Sequence, residues 1–278
     1  MKINYPELDN FLLSVLNEDI GTGDVTTLSC VPKDAVSTGR FIAKEPGIIC
    51  GLTIIERLFY LFDTTVKLSP KVTDGDFVNI GGIIADISGS SRSLLTVERT
   101  ALNLLQRLSA IATKTAKAVE SVHGTGVKIT DTRKTAPGLR VLDKYAVRCG
   151  GGLNHRFNLS DGVLIKDNHI KAAGGITNAV ALARRNCPHT LKIEVETESL
   201  DAVKEAIDAG ADIIMLDNMT PEMMTEAVKL IDGQAIIEAS GNMGDLDLKT
   251  IANTGIDFIS IGALTHSVKA LDISLKFD

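Results

Sequence analysis

The sequence predicts an α/β protein in two parts: a small antiparallel sheet packed on helices, then an irregular or incomplete βα-barrel. Three observations predict it. The C-terminal two-thirds of the chain repeats one pattern, a short apolar β-rich run, a polar end, then a helical stretch. The last four runs start at 191, 212, 235 and 258, spacings that fit one strand plus one crossover helix. No GxGxxG follows the first strand and the units are short and even, which favours a barrel over an open doubly wound sheet.

The elements follow in chain order. In the first hundred residues STGRFIAKEPGIICGL, TVKLSP and DGDFVNIGGIIADISG are alternating runs broken by Gly turns, hence a small antiparallel sheet. The stretch 93–122 keeps helical apolar periodicity throughout and leads into the barrel. The barrel strands are VKIT (127–130), GVLI (162–165), LKIEVE (191–196), DIIML (212–216), AIIEAS (235–240) and FISIG (258–262). Six are evident rather than eight, so the barrel is expected to be incomplete. Between them, SLDAVKEAIDAGA and TPEMMTEAVKLIDG open on a Ser or Thr cap and end at Gly. The expected division is 1–105 for the first domain, with 267–278 returning to it, and 106–266 for the barrel.

Composition excludes several classes. The 278 residues are 44% apolar and 23% charged, as in an ordinary globular chain. A net charge of −6, no Trp and few other aromatics argue against nucleic-acid or anionic-membrane binding. No run is long and apolar enough to be a transmembrane helix, and MKINYPELDN lacks the apolar core of a signal peptide. Cys30, Cys50, Cys149 and Cys187 have no metal-ligand or CxxC spacing, so reduced thiols of a soluble cytoplasmic enzyme are expected.

The net charge hides an asymmetry. Residues 133–171 hold eight Lys/Arg against three Asp, whereas residues 191–245 hold three Lys against thirteen Asp/Glu. A cationic block followed by an acidic one suits a site that holds phosphates or carboxylates on one side and a metal on the other.

The charged residues cluster at the expected C-terminal strand ends, where barrel sites lie. Arg133 and Lys134 offer a bidentate fork and a point charge to two different anions; a solvated loop is the plainer alternative. Gly150-Gly151-Gly152 before His155 and Arg156 allows close backbone approach, to an anion or simply as a linker. Lys166-Asp167-Asn168-His169 is a polar quartet directly after a strand. Glu194 and Glu196 lie two apart and so share one strand face. Glu196 with Asp217, one strand over, could hold Mg2+, or could instead form salt bridges to the cationic block. Ser240, Gly241 and Asn242, and Ile261, Gly262 and Ala263, end the last two strands with small residues that can expose backbone N–H groups to a phosphate.

Together these residues resemble quinolinate phosphoribosyltransferase, the carboxylating nicotinate-nucleotide pyrophosphorylase family. The matching segments are NEDIGTGDVTT (17–27), VERTALNLLQRLSAIAT (97–113), TRKTAPGLRVLDKYAVRCGGGLNHRFNLSDGVLIKDNHI (132–170), IEVE (193–196), MLDN (215–218), EASGN (238–242) and ISIGALTHS (259–267). The resemblance implies an N-terminal α/β sandwich plus an incomplete barrel, in a homodimer whose active site is shared between subunits. It implies Mg2+-dependent transfer of a phosphoribosyl group from 5-phosphoribosyl-1-pyrophosphate to quinolinate with loss of CO2, a step of NAD biosynthesis. Carried over residue by residue, Arg133, His155, Arg156 and Lys166 hold the quinolinate carboxylates, with Thr132 beside them and Arg99 reaching in from the partner subunit. Lys134 meets the phosphoribosyl donor, Glu196 and Asp217 bind ribose hydroxyls and Mg2+, and the two small-residue tripeptides cradle the 5-phosphate. Lys134, Lys166, Glu196 and Asp217 carry the catalytic roles.

Two other readings compete. Lys166 at a strand end could be the nucleophile of a Schiff-base barrel lyase, although a neighbouring carboxylate opposes this. DGDFVNIGGIIADI could belong to a small carrier-like module without catalysis.

Overall fold

A computed structural model describes residues 5–244 and 246–278. The polar start of the chain, read above against a signal peptide, falls partly outside them, as does Asp245 at the end of the acidic block. The chain divides into two compact units: Met1–Ala116 with Pro137–Gly151 and Val268–Asp278, and Lys117–Ala136 with Gly152–Ser267. The first therefore reaches past residue 105, and it takes a helix from within the expected barrel range.

In the first unit, α1 (Tyr5–Ile20) and α2 (Val25–Cys30) precede β1 (Val36–Ala43) and β2 (Gly47–Ile48). Then come α3 (Leu52–Phe62), β3 (Lys67–Pro70), β4 (Phe77–Val78), β5 (Ile83–Ser90) and the long α4 (Ser91–Ser121), which continues into the second unit. The alternating runs form two antiparallel sheets: a four-stranded one in the order β12-β1-β5-β3, which places the last strand of the chain, β12 (Ile273–Phe277), beside β1, and a small β2-β4 pair. Phe41 and Ala43 of β1 and Ile84, Ala85 and Ile87 of β5 are buried in the core with Leu58 and Phe59 of α3.

Helix α5 (Arg140–Cys149) also belongs to this unit. Its Asp143 is fully buried and accepts hydrogen bonds from Arg107 Nε at 2.9 Å and Nη2 at 2.8 Å, a bidentate pair that ties α5 to α4. At its C-terminus a Cβ on Gly150 would stand 2.4 Å from the Ala112 carbonyl oxygen and 2.7 Å from Thr115 Cβ. Close approach is the use of this glycine, but to a helix rather than to an anion.

The second unit holds β6 (Lys128–Thr130), β7 (Val163–Ile165), β8 (Ile193–Thr197), β9 (Ile213–Asp217), β10 (Ile236–Ser240) and β11 (Phe258–Ser260). All six pair in parallel in the order β6-β11-β10-β9-β8-β7. Each strand neighbours the next in sequence except the first two, and β6 closes onto β11. The seam between β6 and β7 is open, as expected for an incomplete barrel. Helices α6 (Asp167–Ala173), α7 (Ile176–Asn186), α8 (Leu200–Asp208), α9 (Pro221–Ile231), α10 (Leu248–Ala252) and α11 (Ala263–His266) fill the connections. Ser199 and Thr220 cap α8 and α9 by accepting from Ala202 N and Met223 N. On β8, Ile193 and Val195 are fully buried on one side, which turns Glu194 and Glu196 to the other.

Gly150→Ala tests the seat of α5. The added methyl meets backbone, which cannot swing away, and should destabilise the chain by about 1–3 kcal/mol. The denaturation midpoint should fall, with the slope of the transition unchanged.

Candidate active site

Register explains which side chains meet. Leu164 lies opposite Glu194 and Ile165 opposite Val195, so Lys166, the next residue, stands opposite Glu196. Lys166 Nζ donates to Glu196 Oε2 at 2.5 Å. Glu196 pairs with Met215, which puts Asp217 one step further towards the C-terminal strand ends, beside Ser240. Burial and the neighbouring Glu196 charge hold the Asp217 carboxyl above its ordinary range, while Lys166 and Lys134 pull it back.

The free edge of β6 is taken by one residue. Leu153 bridges to Thr130: its N–H donates to Ile129 O at 2.8 Å, and Asp131 N–H donates to Leu153 O at 3.3 Å. The fully buried carboxylate of Asp131 then accepts from Asn154 Nδ2 (2.7 Å) and from His155 N (2.9 Å). This grip carries His155 and Arg156 into the site. Arg156 N–H donates to His155 Nδ1 at 2.8 Å, so the ring proton sits on Nε2. Nε2 faces Glu194 Oε2 at 3.2 Å and Glu238 Oε1 at 3.5 Å. Both glutamates are buried, and among the described residues Oε1 of each finds no hydrogen-bond partner. Burial, then the Glu194 charge, lifts the Glu238 carboxyl to about 7. Arg156 Nη1 donates to Gly162 O at 2.8 Å, and burial beside Arg133 lowers its guanidinium from the usual value.

His155, Arg156, Lys166, Glu196, Asp217 and Glu238 line one cleft of about 520 Å³ at the C-terminal strand ends. Thr132, Arg133, Lys134, His155, Arg156, Lys166, Glu196, Asp217, Ser240, Gly241, Asn242, Gly262 and Ala263, all singled out from the sequence, lie on its walls. Thr132 Oγ1 accepts from Lys134 N at 3.0 Å and shapes the turn that carries both cations. A Cβ on Gly262 would stand 2.9 Å from Lys134 Cδ, so this glycine leaves the lysine stem its path. Gly241 has φ +89°, and a Cβ there would lie 2.3 Å from Asn218 Oδ1 and 2.7 Å from its backbone N. Only glycine fits.

Three expectations change. Ile261 does not line the cleft: its side chain is buried and its N–H donates to Thr130 O at 3.0 Å, so sheet pairing uses it. His155 does line the cleft, but both ring nitrogens are directed at protein atoms rather than into open space. His169 caps α6, accepting from Lys166 N at 2.9 Å, and Asp167 pairs with Lys171, so Lys166 alone of the polar quartet reaches the cleft. Arg99 is exposed on α4 in the first unit.

Glu238, Asp131 and Asn218 were not among the sequence candidates. Glu238 had a signal: it stands two residues before Ser240, as Glu194 stands two before Glu196. Asn218 had a fainter one, following an acidic strand end; its Nδ2 donates to Asp217 Oδ2 at 2.7 Å.

Comparison with known proteins decides among the readings. Residues 24–109 match the N-terminal domain of quinolinate phosphoribosyl transferase and residues 111–276 its C-terminal domain. The chain belongs to the quinolinate phosphoribosyltransferase family. It is 46% identical over 273 residues to a probable nicotinate-nucleotide pyrophosphorylase [carboxylating] of Bacillus subtilis, covering 98% of this chain and 94% of the relative. The crystal structure of NadC from Streptococcus pyogenes superposes with a TM-score of 0.93 at 46% identity, covering 99% of this chain and 98% of that one. The nicotinate-nucleotide pyrophosphorylase of Francisella tularensis gives 0.95 at 41% identity, covering 100% and 98%. The chain is thus an enzyme of mixed α/β fold, a transferase of phosphoribosyl groups.

Glu238 gives a pH test. A carboxyl lifted from about 4.3 to about 7 binds a proton more tightly in the folded chain. Its contribution is neutral below the lower value, turns unfavourable as pH rises between the two, and is complete above the upper one. Glu238→Gln should therefore gain on the parent by roughly 1–3 kcal/mol more at about pH 8 than at about pH 5. Thermal melts across that range check it; a difference independent of pH would contradict it.

Proposed function

We propose that the chain carries out Mg2+-dependent transfer of the phosphoribosyl group of 5-phosphoribosyl-1-pyrophosphate to quinolinate, with decarboxylation to nicotinate mononucleotide. The observation that carries this is the division of charge in one cleft: Arg133, Lys134, Arg156 and Lys166 against Glu196 and Asp217. Two polyanions must be brought together, and positioning is most of the catalytic work.

In the reaction the ring nitrogen of quinolinate attacks C1 of the ribose and the bond from C1 to pyrophosphate breaks. The 2-carboxylate then leaves as CO2, and the electron pair left on the ring carbon takes a proton. Arg133 and Arg156 hold the dicarboxylate, with Lys166 at its edge. Lys134, close to the strand ends that carry Gly241 and Gly262, meets the phosphoribosyl donor. Ser240, Asn242, Gly262 and Ala263 border the 5-phosphate. Glu196 and Asp217 stabilise the positive charge that builds on the sugar as the C1 bond breaks.

Mg2+ suits the same pair. Hard carboxylate oxygens on adjacent strand ends, with Asp217 under the pressure of Glu196, form a donor set short of positive charge. When bound, the ion neutralises charge on the leaving pyrophosphate. The Schiff-base alternative is disfavoured, because Lys166 is engaged by Glu196 as an ion pair rather than left as a free amine. No helix among the described residues is long and apolar enough to cross a membrane. A cytoplasmic location and a homodimer whose partner supplies Arg99 belong to this proposal.

Incubation with Mg2+, phosphoribosyl pyrophosphate and quinolinate should release CO2 and nicotinate mononucleotide one for one, and chelation of the metal should stop it. Turnover of nicotinate in place of quinolinate, without CO2, would reject the carboxylating reading. Sharing of the site has its own test. Arg99→Ala and Lys134→Ala proteins, each inactive alone, should recover up to about a quarter of parental activity after subunit exchange, because random mixing leaves half the dimers hybrid with one intact site. No recovery, with exchange proven by mass, would count against it.

A further inference from the structure

Outside the cleft, a cluster of reactive side chains among the described residues is unused by the chemistry above. Cys50, just before α3, and Cys149, the last residue of α5, are far apart in sequence. In the first unit their sulfurs and a carboxylate oxygen of Asp74 lie within 4.8 Å of one another. Cys50 is fully buried and Cys149 half-buried.

A metal is a poor occupant. Asp74 Oδ1 already accepts from Gly51 N (2.9 Å) and Leu52 N (3.0 Å), capping α3, and Oδ2 accepts from Tyr145 Oη (2.7 Å). Two sulfurs and one engaged carboxylate fall short of a closed tetrahedral set. Two thiols facing each other with little room between them suit a different bond.

We propose that Cys50 and Cys149 close reversibly to a disulfide, by exchange with a low-molecular-weight disulfide, and so tie the loop before α3 to the end of α5. The sulfurs need only close from at most 4.8 Å to about 2.05 Å. Gly150, seated against Ala112 and Thr115, holds the end of α5 in place, so side-chain rotation rather than helix movement must supply the difference.

The chemistry orders the steps. A hydrogen bond from Cys50 lowers the Cys149 thiol, while burial raises Cys50 well above the ordinary range. The Cys149 thiolate is also the more accessible, so it attacks one sulfur of the small disulfide and expels the first thiolate. Cys50 sulfur then attacks the Cys149 sulfur of the mixed disulfide, the second small thiolate leaves, and the Cys50 proton goes with it. Two protein thiols are oxidised and one small disulfide is reduced to two thiols. The new bond lies one residue before Gly150-Gly151-Gly152, the lead into His155 and Arg156, so the covalent anchor of that segment changes with redox state.

The test uses the full chain in glutathione redox buffers, quenched with acid and mapped by mass spectrometry. The expected product is an internal Cys50–Cys149 link, about 2 Da lighter than the dithiol and reversed by dithiothreitol. Its thermal midpoint should rise by roughly 5–10 °C, because the link closes a long loop in the unfolded chain. Cys50→Ala should stop at a mixed disulfide on Cys149, whereas Cys149→Ala should leave Cys50 reduced. Melting curves confirm that each variant is folded, and Cys50→Ser and Cys149→Ser serve where an Ala variant is not. Either of two results overturns the proposal: a stable mixed disulfide on Cys149 in the parent chain, or two free thiols under conditions that fully modify the exposed Cys30.

Discussion

Parallel strands send every second side chain to the same side of the sheet, and here that side carries charge. Once Ile193 and Val195 are committed to the apolar layer, Glu194 and Glu196 have no other place to go. Each buried carboxylate must then be matched by a cation or keep a proton. Lys166 meets Glu196 from the adjacent strand end, and His155 is brought by a loop to face Glu194 and Glu238. The single ring N–H of His155 cannot serve two buried carboxylates, and Glu238, with burial and the Glu194 charge pressing on it, answers by holding its proton more tightly. The cleft is organised before any ligand arrives, because its walls are already bound to one another.

Much of this was legible in the sequence, and what was not has a common cause. Local periodicity carried the six parallel strands, the caps at Ser199 and Thr220, and the shared face of Glu194 and Glu196. It carried less where a residue's use depends on a distant neighbour. The three glycines before His155 looked like an anion cradle, yet Gly150 is required by Ala112, a residue on another helix. His169 stood in a polar run that pointed to the site, but its nitrogen closes the first turn of its own helix. Glu238 was hidden inside an aliphatic run, although the two-residue count that exposed Glu194 would have found it.

The division of the chain shows the same limit. Helix α5 lies between two barrel strands in sequence, and nothing local separates it from them. Its attachments are to Arg107 by way of Asp143, and to the neighbourhood of Cys50 by way of Cys149. Spacing rules for cysteines look for close pairs, so a pair joined only by packing escapes them.

The open seam beside β6 has a further consequence. In a closed barrel every inward-facing side chain comes from a strand, so its height is fixed in steps of two residues by hydrogen-bond register. Leu153 occupies the free edge of β6 for a single residue, and Asp131 then holds the chain by one carboxylate. The segment that follows is therefore exempt from the register of the sheet. Residues 157–161 complete the loop before β7, closed by Arg156 Nη1 donating to Gly162 O and Phe157 N donating to Asp161 Oδ2, both at 2.8 Å. A fold whose floor is locked by alternation thus sets one wall of its cleft, His155 and Arg156, by side-chain grip on a loop instead of by strand register.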